Sequence, residues 1–508
     1  MAPELPGYYF DNMKKKYFKI EPSHSASPSS AAAPWTADAV KRRRAASSAA
    51  SSAAIRTRLL QRHVRRHEGL ETDMVARGRL RQELGVTTTM TEEQDDVRAA
   101  AWAEGSVDKG SVSLVPSFAR ARYANMACMY VGGDDTKTGL GVAYATLDEE
   151  TLVGSYLPTD DNDTISFSDL APESSGRRRG LRAEMVRCPQ MSSIRYHAPS
   201  HKILLTSREP DHSCGLYFFS PLLSAESDHR RPQWLLGETS HYQRLYIRHH
   251  RLRDSWIVHQ STPAPASSPL LCVVGTNAGI LSVSSDETMS WLAPSSSPPG
   301  TQQQQQQHAG PQEIFAQDFQ QGNHNVLLAG GRQPALWITD LRDNDPRRWR
   351  ATPHDSTVTH LRSVSAHQVL VAGLRSSMST YDLRFLGRPT PSGQATSRSC
   401  SMPVLRFSGY ENEAHVHTGW DVCAELGLVA AAQDDGTVAL FSLRSGKRVR
   451  PGGGGGGSGG IGDLRTETPI KALMWQRMPR ERLPSLWVGE GPLVRKFSLG
   501  VGEVGDEG

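Results

Sequence analysis

Two neighbouring segments, Gln368-Val-Leu-Val-Ala-Gly373 and Met378-Ser-Thr-Tyr-Asp-Leu-Arg384, indicate the fold of this chain. The first segment is a short apolar run that ends in small residues. The second ends in an aromatic residue, an aspartate and, one residue later, an arginine. Apolar runs of this length, bounded by glycine and serine, are typical of β-strands that pair across a turn. We therefore predict two adjacent antiparallel strands here.

The same strand pair recurs along the chain. Five further copies join 201–207 to 215–220, 270–276 to 279–283, 325–331 to 335–342, 428–432 to 436–444, and 485–489 to 493–498. A weaker seventh copy joins 126–132 to 141–146. Self-similarity at a regular spacing indicates a repeat architecture, in which each copy is one structural unit.

The spacing of the copies selects the architecture. Dividing residues 111–500 by seven, after removing about 50 residues of filler, leaves about 50 per copy, slightly above the ~40–45 of a four-stranded propeller blade. Short edge strands at 357–361 and 470–474 precede two of the pairs, as the first strand of a blade should. The gaps lack the amphipathic helical patterns of a parallel α/β fold. We predict an all-β, seven-bladed β-propeller over 111–500, with an eighth blade left open within 151–182.

Small residues have a physical role in such a fold. Blades converge on the propeller axis, so the crowded inner strands favour Ala, Gly and Ser. The turn Asp434-Asp435-Gly436 predicts a hairpin in which Gly436 takes a positive φ.

Four segments have too little apolar surface to offset the entropy of ordering them. They are the Ser/Ala/Pro-rich segment 21–51, the segment 295–311 with its six glutamines, the Ser/Thr/Pro-rich segment 387–401, and the glycine-rich segment 446–462. The last three interrupt the repeats, so we interpret them as loop insertions and not as domain boundaries.

Composition excludes several classes of protein. The net charge of +4 is too small for a nucleic-acid-binding polycation. Six cysteines lie far apart without a C-x-x-C pair, which argues against a zinc ribbon or a disulfide scaffold and fits a reducing compartment. No apolar run approaches the ~18 residues of a membrane span, and the opening residues lack a secretory layout. We expect a soluble intracellular protein, nuclear or cytoplasmic or both.

Motifs for catalysis are missing from the sequence. It contains no Walker A pattern, no H-E-x-x-H and no G-x-S-x-G. His415 and His417 could ligate a metal from one strand face, but a structural position at the top of a blade is the stronger interpretation. We expect no enzyme activity, no cofactor and no metal.

Strand pairs that end in Asp-Leu-Arg resemble WD repeats. The ends Tyr381-Asp382-Leu383-Arg384, Thr339-Asp340-Leu341-Arg342 and Phe441-Ser442-Leu443-Arg444 look like the WDxR box of substrate receptors for cullin-4 ubiquitin ligases. In that family the arginine lies on the propeller face turned towards the ligase's adaptor. The first copy departs from the box by having Ser376 and Ser377 in place of an acid, and the third by having Ser442 in place of Asp.

The resemblance implies an adaptor-binding set of Tyr381, Asp382, Arg384, Asp340, Arg342 and Arg444. The alternative is that each arginine folds back on the aspartate of its own blade as a surface salt bridge.

A basic helix–loop–helix is predicted over 52–85. Ile55, Leu59 and Leu60 recur at helical spacing in its first half, and Gly69 ends that half. A helical pair ahead of a propeller is similar to the element that many of these receptors insert into the adaptor's cleft. The alternatives are a pair packed on its own propeller or an RNA-binding helix.

The N-terminus adds a more distinctive motif. The segment 5–20, which contains Pro6-Gly7-Tyr8-Tyr9-Phe10-Asp11 and Lys16-Tyr17-Phe18-Lys19-Ile20, predicts a small aromatic hairpin. It closely resembles the opening of the WD-repeat family called DDB-and-cullin-4-associated factor 4. The low-complexity insertions depart from that family and look like filamentous-fungal sequence.

The resemblance implies a non-catalytic substrate-receptor subunit of a cullin-4 RING ubiquitin ligase. Its partners would be the ligase adaptor and an unknown substrate protein, recruited by the opposite face or the central channel. The alternative is a nuclear WD-repeat scaffold in RNA processing or chromatin complexes, which would use the basic helix and the run Lys41-Arg42-Arg43-Arg44.

Overall fold

The structure is a computed structural model of the full chain. It describes residues 8–11, 14–20, 36–42, 45–46, 96–114, 123–133, 140–158, 164–165, 184–187, 190–208, 214–220, 243–247, 257–294, 311, 313–343, 349–386, 402–451, 460–478 and 481–499. The chain divides into two compact units, Met1–Arg77 and Gly78–Gly508. No helix in these ranges is long and apolar enough to cross a membrane.

The N-terminal unit contains an antiparallel hairpin. Strand β1 (Tyr8–Asp11) pairs with β2 (Lys16–Lys19), so that Tyr9 lies opposite Phe18. Lys15 has a φ of 49°, which reverses the chain between the two strands. A short helical segment follows at 37–42. The helix–loop–helix expected over 52–85, with Ile55, Leu59 and Leu60, lies outside the described residues and stays a prediction.

The second unit is a ring of seven four-stranded antiparallel sheets, which confirms the predicted seven-bladed β-propeller. Blade 1 contains β4 (Met126–Gly132), β5 (Leu140–Leu147), β6 (Thr151–Pro158) and β7 (Glu184–Arg187). Blade 2 contains β8 (Met191–His197), β9 (Lys202–Arg208), β10 (Cys214–Phe219) and β11 (Gln243–Ile247). Blade 3 contains β12 (Val258–Pro263), β13 (Leu270–Thr276), β14 (Gly279–Ser284) and β15 (Met289–Pro294).

The remaining blades follow in chain order. Blade 4 contains β16 (Ile314–Gln320), β17 (Asn323–Gly331), β18 (Ala335–Asp340) and β19 (Arg350–Pro353). Blade 5 contains β20 (Val358–Ser363), β21 (Gln368–Gly373), β22 (Met378–Asp382) and β23 (Leu405–Arg406). Blade 6 contains β24 (Trp420–Cys423), β25 (Leu428–Ala432), β26 (Val438–Ser442) and β27 (Arg448–Val449). Blade 7 contains β28 (Leu473–Gln476), β29 (Ser485–Glu490) and β30 (Leu493–Leu499).

The ring is closed by a strand from the other end of the propeller sequence. Strand β3 (Ser106–Ser113) pairs antiparallel with β30 as the fourth strand of blade 7, with Val112 opposite Val494. This strand begins ahead of residue 111, where the propeller was expected to start. Helix α1 (Val97–Glu104) directly precedes it. Because the last blade uses an early strand, the ring cannot open without breaking a β-ladder.

Blade 1 differs from the sequence prediction in one respect. Six of the predicted pairs are the second and third strands of their blades, whereas the weak seventh pair is β4 and β5, the first and second. Strand β4 ends in a buried apolar run and a glycine, so it looks like a second strand. The third strand is β6, which lies in the span where an eighth blade was left open.

The core lies between neighbouring blades and is densest at the second strands. In β21 and β25, for example, Leu370, Val371, Val429 and Ala430 have no exposed surface. The predicted turn at Gly436 is confirmed by its φ of 79°, and a Cβ there would collide with the Thr466 carbonyl.

The three inserted segments have propeller strands on both sides. Residues 295–310, 387–401 and 452–459 lie outside the described residues. Within the third segment, Arg448–Val449 forms the fourth strand of blade 6, so part of the expected insertion belongs to the sheet.

Candidate protein-interaction surfaces

The arginines singled out from the sequence lie on one face of the propeller. Arg342, Arg384 and Arg444 each follow the third strand of a blade, in blades 4, 5 and 6. Third strands of successive blades run in the same direction, so these residues emerge on the same side of the ring. We call this side the arginine face; the side that carries the Gly436 turn is the opposite face.

In blade 4 the arginine is bound to its own aspartate. Arg342 donates from Nε to Asp340 Oδ1 at 3.0 Å and from Nη2 to Asp340 Oδ2 at 2.6 Å. The hydrogen bonds from Arg342 lower the pKa of Asp340 to about 2. The Arg342 side chain is nevertheless 69% exposed, and its Nη1 lies outside this fork.

Blade 5 repeats the same geometry. Arg384 donates from Nε to Asp382 Oδ1 at 3.0 Å and from Nη2 to Asp382 Oδ2 at 2.7 Å, while its backbone N–H also donates to Oδ1. The Arg384 side chain is 58% exposed, and its hydrogen bonds lower the pKa of Asp382 to about 2. The salt bridge considered as an alternative is therefore present in both blades, and it orients each guanidinium without burying it.

Blade 6 also has a carboxylate near its arginine, but that carboxylate comes from a distant part of the chain. Ser442 stands where the other two blades have aspartate, and its hydroxyl accepts from the backbone N–H of Arg444 at 3.1 Å. The same hydroxyl donates to Asp96 Oδ1 at 2.5 Å. A carboxylate from the residue before α1 thus occupies the side of blade 6 where Asp340 and Asp382 lie in blades 4 and 5.

Helix α1 is anchored to the arginine face beside blades 6 and 7. Trp102 is fully buried and packs edge-on against Trp475 of blade 7, with ring centroids 4.7 Å apart. Arg98 donates to the backbone carbonyl of Glu425 at 2.8 Å. The side chain of Glu425 forms an ion pair with Arg477. The face therefore carries a docked helix next to the row of arginines.

Large apolar side chains are exposed in blade 5, and one of them lies next to Arg384. Phe385 is 75% exposed, and the Arg384 guanidinium lies 5.6 Å from the centre of its ring. Met402 and Val404, which follow the inserted segment 387–401 of blade 5, are 82% and 59% exposed. Exposed aromatic residues next to arginine are the composition that interface centres favour.

Tyr381 does not belong to this exposed set. Its side chain is 2% exposed, and its hydroxyl hydrogen-bonds at 2.9 Å to Nδ1 of His354, which lies between the last strand of blade 4 and the first strand of blade 5. His354 Nε2 in turn lies 3.2 Å from Ser377 Oγ. The WDxR pattern placed Tyr381 beside the adaptor, but the alternation of a strand turns it into the core while Asp382 points to the face.

The central channel is lined by the first strands of all seven blades and has a volume of about 590 Å³. Four charged residues, which we call the channel layer, line it: Arg195, Asp318, Arg362 and Asp421.

Hydrogen bonds hold three of these four residues. Arg362 Nη2 donates to Asp421 Oδ1 at 2.8 Å, and Asp421 Oδ2 accepts from the backbone N–H of Trp475 at 2.7 Å. Asp318 accepts from the backbone N–H groups of Phe319 and Ser363. Burial raises the pKa of Asp318.

Arg195 differs from the other three charged residues of the channel layer, which are all held by hydrogen bonds. Its side chain is accessible from the channel, yet it makes no hydrogen bond and no ion pair with the residues that the structure describes. Burial and the neighbouring positive charge of Arg362 lower its pKa. It lies in β8, between the buried Ile194 and the half-buried Tyr196.

His259 and His360 lie on the first strands of blades 3 and 5, and His417 precedes the first strand of blade 6. The rings of His259 and His417 are 6.1 Å apart, and His360 stacks on Trp420 at 5.3 Å. Burial lowers the pKa of His259 to about 4 and that of His360 to about 3. His415, which the sequence paired with His417, instead lies 3.8 Å from Asp434. In the described part of the chain no group of three or more His, Cys, Asp or Glu could hold a metal ion.

Sequence reasoning missed Asp96 and the channel layer. Asp96 is separated from Ser442 by 346 positions, so no local pattern links them. The channel residues occupy first strands, which are less regular than the second and third strands that revealed the repeat. A charged residue at the same position of several first strands is the signal that could have found them.

The fold defines the chain as a seven-bladed β-propeller protein. No protein-family model matches it, and no curated protein matches it. Among solved structures it is similar to the crystal structure of the WD40 β-propeller domain of Doa1, with 10% sequence identity and a TM-score of 0.46, over 78% of this chain and 98% of that one. The assignment of the fold rests on the seven sheets themselves.

Proposed function

We propose that this protein is a non-catalytic substrate-receptor subunit of a cullin-4 RING ubiquitin ligase, which binds the ligase adaptor through its arginine face. The observation that carries the proposal is the repetition of one oriented, exposed arginine in blades 4 and 5, beside the exposed Phe385. Arg444 emerges at the matching position of blade 6.

The arginine forks are suited to a protein partner. Each uses Nε and Nη2 on its own aspartate, which leaves Nη1 to bind a carboxylate or carbonyl of the partner. Because the intrablade bonds hold the guanidinium in place, docking costs less side-chain entropy than it would with a free arginine. Phe385 supplies apolar area at the same place.

In this function the chain contributes binding and proximity, and other subunits transfer ubiquitin. Helix α1 is bound to the arginine face. We infer that the helix–loop–helix predicted over 52–85 also binds the adaptor. Substrate recruitment is left to the opposite face or the central channel.

The test is co-purification of tagged variants with the adaptor and cullin-4. Arg342→Lys combined with Arg384→Lys keeps the charge but removes the planar fork, so we expect recovery of the adaptor to fall about tenfold or more. The matched control is Arg350→Lys, an exposed arginine on the fourth strand of blade 4. Deletion of 52–84 should also abolish recovery.

Two outcomes would contradict the proposal. One is wild-type recovery of the adaptor by the double lysine variant, which would remove these arginines from the interface. The other is recovery of ribonucleoprotein or chromatin partners, without the adaptor, by the wild-type chain. Binding to RNA that weakens steeply with salt would then support the scaffold alternative.

A further inference from the structure

We propose that the central channel binds an acidic segment of a partner protein, with a glutamate or aspartate carboxylate of that segment paired to Arg195. The inference rests on the proposed function only in taking the chain to be a protein-binding subunit; it does not depend on which complex the arginine face joins.

The hydrogen bonds of the channel layer leave Arg195 without a hydrogen-bonded partner among the described residues, although the carboxylates of Asp421 and Asp318 attract it through space. Arg362 is paired with Asp421, which also accepts from Trp475, and Asp318 is held by two backbone N–H groups. Arg195 has no corresponding bond to the described residues. Arginine carries five donors in a rigid fork, so its side chain offers a complete carboxylate-binding group to the channel.

Two further observations favour an anion at this place. The Nε atom of Arg362 is buried and has no hydrogen-bond partner among the described residues, which adds a second unsatisfied donor to the same layer. Burial lowers the pKa of Arg195, and the positive charge of Arg362 in the same layer lowers it further, so the two guanidinium groups repel each other. A bound carboxylate would reduce that repulsion and satisfy donors that the fold leaves open.

The surroundings favour a protein side chain over a phosphate group. Asp318 and Asp421 make the net charge of the channel layer zero, so a doubly charged phosphate would meet two carboxylates at close range. Val422 and Met474 of the wall are partly exposed and can pack against the apolar neighbours of one acidic residue. A volume of about 590 Å³ lies within the usual range of ligand sites and accommodates a few side chains.

The probe is a short, end-blocked, fluorescein-labelled peptide with one glutamate between two leucines, and binding to the purified full chain is measured by fluorescence anisotropy. A twin with glutamine replaces only the carboxylate, and a twin with phosphoserine replaces it by phosphate. We expect the glutamate peptide to bind about tenfold or more tightly than either twin. Arg195→Gln should remove that preference, and Arg448→Gln, on the outer strand of blade 6, should keep it.

Equal binding of the glutamate and glutamine peptides, or no binding of either, overturns the proposal. Tighter binding of the phosphoserine peptide overturns it in favour of a phosphate site. A second measurement guards against misfolding of the variant: Arg195→Gln should leave the melting temperature unchanged or raise it, because no bond within the fold is lost. A lower melting temperature would mean that Arg195 is a structural residue. Since the adaptor is absent from these assays, their failure is separable from failure of adaptor docking.

Discussion

The Ser442 hydroxyl donates a hydrogen bond of 2.5 Å to the carboxylate of Asp96, a residue 346 positions earlier in the chain. Blades 4 and 5 carry their own aspartate at the position of Ser442, as Asp340 and Asp382. Blade 6 takes its carboxylate from the residue that precedes α1. The same hydrogen bond therefore supplies blade 6 with the carboxylate that its own sequence lacks and attaches α1 to the arginine face.

Exchange of these two residues tests that relationship. Asp96→Ser should lower the free energy of unfolding by about 1.5–3 kcal/mol, since it removes a hydrogen bond to a charged group. Ser442→Asp alone should destabilise the chain because it brings two carboxylates together. The combined exchange should restore most of the loss. Urea unfolding measures the cycle, and amide exchange over 97–104 reports on the helix; additive effects would contradict the coupling.

Closure of the ring by β3 can be tested with two matched truncations. Deletion of residues 1–104 removes α1 but keeps the strand that pairs with β30. Deletion of residues 1–114 also removes that strand and exposes the edge of β30, which invites association between chains. We expect the shorter deletion to yield a monomeric propeller and the longer one to aggregate, as seen by size-exclusion chromatography with light scattering. Equal behaviour of the two would show that β3 is dispensable.

Lys496 and Glu481 form a buried ion pair in blade 7. Their side chains are 0% and 4% exposed, and Glu481 Oε2 also accepts from Ser485 Oγ at 2.9 Å. Breaking such a pair from one side leaves an uncompensated charge, so Lys496→Met should cost about 3–5 kcal/mol of stability. Combining it with Glu481→Gln should cost less than Lys496→Met alone, because the stranded carboxylate is neutralised. The free energies of unfolding of the three variants are measured by chemical denaturation. A double variant that is less stable than either single variant would contradict this explanation.

His354 should make stability dependent on pH. Burial lowers its pKa to about 4, against about 6.5 in the unfolded chain. A lowered pKa in a base means that the folded state holds the neutral form, so its contribution is complete above pH 6.5 and is lost as the pH falls towards 4. The loss is roughly 3 kcal/mol for one group at this shift.

The measurement is the free energy of unfolding at a series of pH values between 7 and 4. His354→Gln should reduce the slope, whereas His367→Gln, which alters an exposed side chain, should keep it. An unchanged slope in the His354 variant would show that the pKa of His354 is the same in the folded and unfolded states.

Much of the fold was predictable because its signals are local. Strands β21 and β22 are short apolar runs separated by a turn, and six such pairs occupy the same place in their blades. The exception is β4, whose apolar run was assigned to the wrong place in its blade. The closing strand Ser106–Ser113 carries no such pattern, since glycine, serine and charged residues dominate it and only pairing with β30 makes it a strand.

Some residues of the candidate surfaces could be predicted from a local motif, and others could not. Arg342 and Arg384 could be found because arginine, aspartate and strand end lie within three residues of one another. Tyr381 could not be assigned correctly from the same motif, since only the packing of His354 shows that it faces the core.

From the sequence alone we could predict a propeller, six of its strand pairs in their correct places and the row of arginines, because each depends on residues close together in the chain. Which side chains meet in the channel layer is visible only in the folded ring. Arg195, Asp318, Arg362 and Asp421 come from four blades and become neighbours only when the ring closes. The same holds for Asp96 and Ser442, whose contact follows from closure by β3. Contacts between distant segments are set by the packing of whole blades, and no short stretch of sequence encodes them.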